Sequence, residues 1–247
     1  MIKLNLKKIY KDLPENRVKI DIFEEIDSTN DEAKKITLDK EFHIIIAEQQ
    51  SKGRGRHGNK WSSPNSQNIY MTFCTENDLS FAPISLVAGV ICKNSIKNIH
   101  DGVNIDLKWP NDLLHKNKKV GGILVEKVHY RENIKTIVGI GINLNLKNKE
   151  SWWGDLSEFN LVQYRNELIN EIINNFINVS DRGRIDWMNE WRKGCLHLGK
   201  EIEIYDDNKI IQTAIFRDVD SEGNAIIITK KGLEIFKSGQ IKIKGIY

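Results

Sequence analysis

The segment Ile134 to Leu146 carries the signature of a β-strand with two unlike faces. Ile134, Val138, Ile140, Ile142, Leu144 and Leu146 share one parity, while Gly139, Gly141 and Asn143 share the other. An apolar run from Val120 to Val128 precedes it. Only His129 to Asn133 lie between, too few for a helical crossover, which predicts an antiparallel pair. One face of that pair packs and the other is bare. Glycine in a strand gives up backbone entropy and packs nothing, so such a face is tolerated only where something lies flat against it. A ligand or a closely crossing helix would serve, and Gly121 and Gly122 in the neighbouring strand favour a ligand.

Upstream, Gly53-Arg54-Gly55-Arg56-His57-Gly58 joins backbone freedom to concentrated positive charge. It fits the G-x-G-x-x-G pattern and follows a predicted strand, Phe42 to Glu48. A dinucleotide fingerprint also needs a helix to begin at the glycines, so that its free N–H groups meet the pyrophosphate. The next residues, Asn59, Lys60, Trp61, Ser62, Ser63 and Pro64, are loop formers. From Ser51 to Lys60 there are four cations, Lys52, Arg54, Arg56 and Lys60, and no Asp or Glu. An anion here would be met by side chains rather than by a helix end. A solvated basic turn is the plainer alternative.

Composition narrows the class. A chain of 247 residues with 40% hydrophobic content can bury a core as one large domain, or one with a small appendage. The net charge of +3 is too small to argue for nucleic acid by bulk electrostatics. Cys74, Cys92 and Cys195 have no C-x-x-C spacing, which argues against a disulfide framework or a zinc site and fits a reducing compartment. Met1 to Tyr10 lacks a signal-like apolar core, and no stretch approaches the roughly 18 apolar residues of a membrane span. A cytoplasmic protein is expected.

Val18 to Ile26 reads as a strand, and Thr29-Asn30-Asp31-Glu32 has capping-box form for a helix running toward Leu38. Asn68 to Thr75 reads as another strand. Pro83 suits the first turn of a largely buried helix containing Ile84, Leu86, Val87, Ala88, Val90 and Ile91. Leu161, Tyr164, Leu168, Ile172 and Phe176 mark a long amphipathic helix, and Arg184 to Leu196 a second. After Gly199 short β-rich runs follow: Glu201 to Tyr205, Ile210 to Val219, Ala225 to Thr229 and Leu233 to Lys237. Turn clusters such as Asp206-Asp207-Asn208 and Ser221-Glu222-Gly223-Asn224 separate them. A module of about 45 residues is near the lower limit for independent folding and should lean on the larger domain. The predicted division is 1–198 and 199–247.

Lys108-Trp109-Pro110-Asn111-Asp112 ends a short strand and displays Asn111 and Asp112 at a turn. Asp offers a hard oxygen ligand for Mg2+, Asn a neutral amide, and Lys108 a cation that could face phosphate. Pro-Asn-Asp is also an ordinary turn. In Lys116-Asn117-Lys118-Lys119 only Lys119 abuts the glycine pair. No pattern marks a covalent nucleophile, a histidine pair at metal-ligand spacing, or a P-loop. Together these parts suggest a site that brings two anions together and neutralises them, as carboxylate attack on the α-phosphate of ATP requires.

These residues resemble the biotin-protein ligases. The resemblance rests on Asp27-Ser28-Thr29-Asn30, Glu48-Gln49-Gln50, the Gly53 to Gly58 loop with Trp61 and Pro64, Lys108 to Leu113, Lys119 to Glu126, and Gly139 to Asn143. It implies an α+β fold, a mixed and mainly antiparallel sheet flanked by helices, of the class II synthetase-like ligase type. A small C-terminal SH3-like β-barrel would follow. It implies two half-reactions: biotin and MgATP give biotinyl-5'-AMP and pyrophosphate, then a carrier lysine takes the biotin. By position, biotin would meet Ser28, Thr29, Asn30, Gln50, Gly53, Arg54, Arg56, Lys119, Gly122, Leu124 and Gly139. Nucleotide would meet Arg56, His57, Trp61, Asn111, Asp112, Lys119 and Asn143, with Asp112 on Mg2+. Lys119 and Arg56 would be catalytic. The expected partner is a biotin carboxyl carrier protein, with no nucleic acid or membrane, and the expected state a monomer or weak homodimer. Asn59 stands where many members carry arginine, and His57 where arginine or another polar residue is common. Only 26 residues precede Asp27, so a monofunctional ligase without a helix-turn-helix repressor domain is expected. Two rivals share some of these features: a lipoate-protein ligase or octanoyltransferase, and a basic-loop protein binding RNA through Arg54, Arg56 and Trp61.

Overall fold

The computed structural model describes residues 2–130, 133–147, 152–183, 186–206 and 209–245. The first part contains α1 (Leu6–Ile9), β1 (Val18–Ile26), α2 (Thr29–Lys35), β2 (Phe42–Gln50), β3 (Ile69–Thr75), α3 (Ile84–Ile99), β4 (Asp106–Lys108), β5 (Asp112–His115), β6 (Lys118–Tyr130) and β7 (Asn133–Ile142). Then follow α4 (Arg165–Arg182), α5 (Trp187–Gly194), β8 (Glu201–Asp206), β9 (Lys209–Val219), β10 (Ala225–Thr229), β11 (Gly232–Phe236) and β12 (Lys242–Gly245). Arg184, Asp207 and Asn208, assigned from sequence to a helix and a turn, lie outside the described residues.

Seven strands form the larger sheet in the order β1-β2-β3-β7-β6-β5-β4. The β1–β2 pair is parallel and the others are antiparallel. The expected β6–β7 pairing is present, in a register that sets Gly122 opposite Gly141 and Leu124 opposite Gly139. The even residues Val138, Ile140 and Ile142 join the main core with α3 and α4. On the odd face Ile137 packs with Ala33, Ile45 and Cys74 beneath α2. The core face and the site face are thus set by one alternation, because a strand sends successive side chains to opposite sides.

The cap of α2 differs from expectation by one residue. Ser28, with extended backbone, accepts from the Asp31 N–H, and the helix ends at Lys35 rather than Leu38. Thr29 is instead the first helical residue, where its N–H and hydroxyl both donate to Gln50 Oε1, at 2.9 and 3.1 Å. At the other end the buried Lys135 ammonium donates to the carbonyls of Ala33 and Ile36. A cation on the last carbonyls of a helix satisfies groups that have no partner within it.

The C-terminal sheet has the order β11-β10-β9-β8-β12, with antiparallel pairs throughout. It is open among the described residues. No ladder joins β11 to β12, so the closed barrel expected from the resemblance is not formed. The chain between them turns instead toward the first sheet, where Ser238 accepts from Arg56 Nη2 at 2.8 Å. The small sheet leans on the larger one as its size requires. Ile202, Ile204, Ala214, Phe216, Val219 and Ile227 belong to the main core cluster. Trp109 Nε1 donates to Gly223 O at 2.9 Å, and Arg192 holds Asp218 with two bonds of 2.9 and 2.8 Å. His197 stands edge-on to Phe216, 4.2 Å between ring centres, in the middle of this seam. Among the described residues no helix is long and apolar enough to cross a membrane.

Candidate functional site

The face of β6 and β7 that carries Gly122, Leu124, Gly139 and Gly141 forms the floor of a cavity of about 600 Å³. Its walls are the start of α2, the basic loop, the Trp109-to-Asp112 turn and strand β12. Every residue expected from the resemblance to meet biotin or nucleotide lines it except Gly53, whereas Gly121 faces Leu113 and the Gly141 carbonyl rather than the cavity. Gly53 lies behind the wall at the base of the loop, where an added Cβ would stand 2.4 Å from the Trp61 carbonyl. The loop there folds on itself: Trp61 N donates to Gly53 O, and Gly55 N to Asn59 O. Glycine is required at position 53 by this close approach and makes no wall of its own.

The α2 end supplies a fixed set of polar groups. Asn30 Nδ2 donates to Glu126 Oε2 at 2.9 Å, and its Oδ1 lies 2.7 Å from Thr72 Oγ1. Thr72 Oγ1 is also 2.8 Å from Thr29 Oγ1, and Gln50 Nε2 donates to Ser63 Oγ at 2.8 Å. Glu126 pairs with Lys34 at 2.9 Å and with Arg54. Burial alone would raise the Glu126 carboxyl, but the bonds from Lys34, Asn30 and Arg54 outweigh it and hold the group below the usual range.

The glycine face is not empty. A Cβ on Gly139 would lie 2.2 Å from Asn30 Oδ1, and one on Gly141 would lie 2.5 Å from the Trp61 indole. Trp61 thus reaches back from the loop to lie on β7, its Nε1 buried without a partner. Of the two readings offered by the bare strand, close crossing is met by side chains, Asn30 of α2 and Trp61 of the loop, and a cavity opens beside them.

At the opposite end Lys119 Nζ is 2.6 Å from Asp112 Oδ1 and 5.4 Å from the Trp61 ring centre. Asn111 is fixed by its own bond to Ile123 O at 2.8 Å and accepts from Arg56 Nη1 at 3.3 Å. Arg56 has no carboxylate within ion-pair distance among the described residues, and burial pushes its pKa down from the usual value. Lys108 is lowered by burial too, partly offset by Asp112. Asn143 Nδ2 donates to Gly154 O at 3.1 Å. Cations on one side and neutral amides on the other make a place where an anion finds charge without giving up hydrogen bonds. No group of three or more His, Cys, Asp or Glu placed to hold a metal occurs among the described residues.

Sequence reasoning missed two parts of the wall. Trp152 and Trp153 arrive because Lys119 N donates to Trp152 O and Gly154 N to Lys119 O. Residues Ile241 to Lys244 arrive because β12 pairs with β8 at the cavity edge. The apolar-basic alternation Ile241-Lys242-Ile243-Lys244 is a strand signal that could have found the second; no local signal points to the first.

The pattern of the Biotin/lipoate A/B protein ligase family matches residues 22–145, and that of the Biotin protein ligase C terminal domain matches residues 197–243. The chain is 27% identical over 238 residues to the bifunctional ligase/repressor BirA of Escherichia coli, covering 89% of this chain and 72% of that protein. It is 32% identical over 123 residues to the biotin-[acetyl-CoA-carboxylase] ligase of Paracoccus denitrificans, covering 48% of this chain and 51% of that one. Among solved structures, the biotin protein ligase from Aquifex aeolicus in complex with biotin and ATP superposes with a TM-score of 0.74 at 26% identity, over 92% of this chain and 99% of that one. With one pattern spanning the site sheet and the other the C-terminal sheet, this chain belongs to the biotin/lipoate A/B protein ligase family.

Proposed function

We propose that the chain is an ATP-dependent biotin-protein ligase. The observation that carries this is the single cavity joining the polar start of α2 to a cation pair, Arg56 and Lys119, across a glycine floor. Biotin lies with its ring toward Thr29, Asn30 and Gln50 and its carboxylate toward Lys119. The nucleotide takes the end formed by Arg56, Asn111, Asp112 and Asn143, with Trp61 and His57 beside it. A biotin carboxylate oxygen attacks the α-phosphorus, the bond to the β-phosphate oxygen breaks, and pyrophosphate leaves. A carrier lysine amine then attacks the acyl carbon, AMP leaves, and the amine loses a proton.

This chain's part is to bring two anions together and neutralise them as charge develops. Lys119 must exchange its partner Asp112 for the ligand, which keeps both charges satisfied when the site is free. Arg56 enters with neutral partners and so with its charge available. Asp112 would be the carboxylate to meet the Mg2+ of MgATP, and the ion would supply further neutralisation of the phosphate charge.

The acceptor is a biotin carboxyl carrier domain, and the reaction takes place in the cytoplasm. We divide the chain at 198/199, with the C-terminal sheet as an opened relative of the SH3-like barrel. Biotin-dependent exchange of labelled pyrophosphate into ATP tests the reading, with lipoate and octanoate alongside and Lys119→Ala as control. Exchange with biotin alone, reduced at least 100-fold in Lys119→Ala, is expected. Exchange with lipoate would move the chain to the neighbouring activity, and none with biotin would refute the assignment.

A further inference from the structure

The two arginines of the basic loop have different surroundings. Among the described residues Arg56 hydrogen-bonds to neutral partners, Asn111 and Ser238. Arg54 turns the other way: its Nη2 meets Glu126 Oε2 and stands 3.0 Å from Asp31 Oδ1. Its Nη2 charge is engaged by two carboxylates that Lys34 shares, and its Nε is buried without a partner.

Glu126 connects more than this pair. It stands on β6 two and four residues beyond Leu124 and Gly122, and so on the same site-facing side. One of its oxygens holds Lys34 of α2 at 2.9 Å. The other serves both Arg54 and Asn30 Nδ2. Glu126 is mostly buried, its side chain 22% exposed, so its contacts are less screened than those of a surface pair. A single carboxylate therefore ties the loop, the first turn of α2 and the cavity floor together.

We infer that Glu126 is a positioning residue: by holding Arg54 it biases the basic loop toward its seated form, with Trp61 on the glycine face. Arg54 is then an anchor of the loop, and the grip on anions falls to Arg56 and Lys119. The same carboxylate fixes the Asn30 amide, so seating of the loop and orientation of that amide rise and fall together.

The test is limited trypsin digestion of the ligand-free protein, following cleavage after Arg56 by mass spectrometry, for wild type, Glu126→Gln, Arg54→Met and the double variant. Glutamine keeps the size and one acceptor but loses the charge. Cleavage about tenfold faster in Glu126→Gln is expected, since losing one charge-assisted contact shifts the loop toward its open form. The double variant should fall short of the product of the single effects, because both substitutions break the shared Arg54–Glu126 contact. Equal rates in wild type and Glu126→Gln, or effects that multiply in the double variant, would overturn the inference. If Glu126→Gln fails to fold, Arg54→Met carries the test, with about tenfold acceleration expected and none overturning it. A second readout rests on the ligase reading: in biotin-dependent exchange Glu126→Gln should raise the biotin KM about tenfold and change kcat less than threefold. A fall in kcat at constant KM would count against positioning. Proteolysis needs no activity, so its failure is distinguishable from failure of the ligase assignment.

Discussion

His197 makes the seam between the two sheets sensitive to acid. Its ring is 1% exposed, and neither nitrogen has a hydrogen-bond partner. Burial, with smaller contributions from Lys108 and Lys200, pushes its pKa from 6.5 down to about 3. The folded protein therefore keeps this imidazole neutral at pH values where the unfolded chain protonates it. Between those two values the unfolded state binds more protons, so stability falls as pH falls. At pH 5 the unfolded histidine is 1.5 units below its own pKa, which favours unfolding by about 2 kcal/mol, nearly all of it developed between pH 7 and pH 5. Urea denaturation at pH 7, 6 and 5 measures this in wild type and His197→Leu, a replacement of similar volume that cannot titrate. Wild type should lose about 2 kcal/mol more than the variant between pH 7 and pH 5. Parallel losses would show that His197 accepts a proton without cost in the folded state, and the reasoning from its burial would be refuted.

Two further outcomes follow from the packing. Gly139→Ala would set a methyl against the Asn30 amide, itself tied to Thr72 and Glu126; a stability loss of roughly 1–3 kcal/mol and a raised biotin KM are expected, read by denaturation and by exchange. Glu48→Gln would leave Arg165, fully buried and 2.7 Å from that carboxylate, without its counter-charge; a loss of about 3–5 kcal/mol is expected in the same denaturation assay.

The parts of the site that were legible in the sequence are those written in local alternation. The bounds of β1 and the bare parity at Gly139 and Gly141 follow from side-chain period, and the β6–β7 pairing from the short connection between two such runs. What fills that face was not legible. Asn30 and Trp61 reach it from segments far away in sequence, and no rule of spacing brings either to a given glycine. Arg54 shows the same limit: among like charges in a loop it resembles Arg56, and only the approach of Glu126 and Asp31 separates them. Ser28 displaced Thr29 as the helix cap because the Thr29 hydroxyl has a partner in Gln50, again a contact between distant residues. The open C-terminal sheet is a matter of where the chain after β11 is drawn, and the pull of Arg56 on Ser238 is not written in either neighbourhood.

The place of β12 in the cavity wall bears on how the protein is made. Ser28 lies near the start of the chain and Lys244 near its end, yet they line one space. During synthesis on the ribosome all seven strands of the larger sheet are present once β7 has emerged, and α4, which packs on its core face, follows. The binding chamber cannot be completed until Ile241 to Lys244 have left the exit tunnel and paired with β8. A nascent chain thus passes through a stage with every strand of the floor present and the wall unfinished, and a chain that stopped before β12 would lack one side of the chamber.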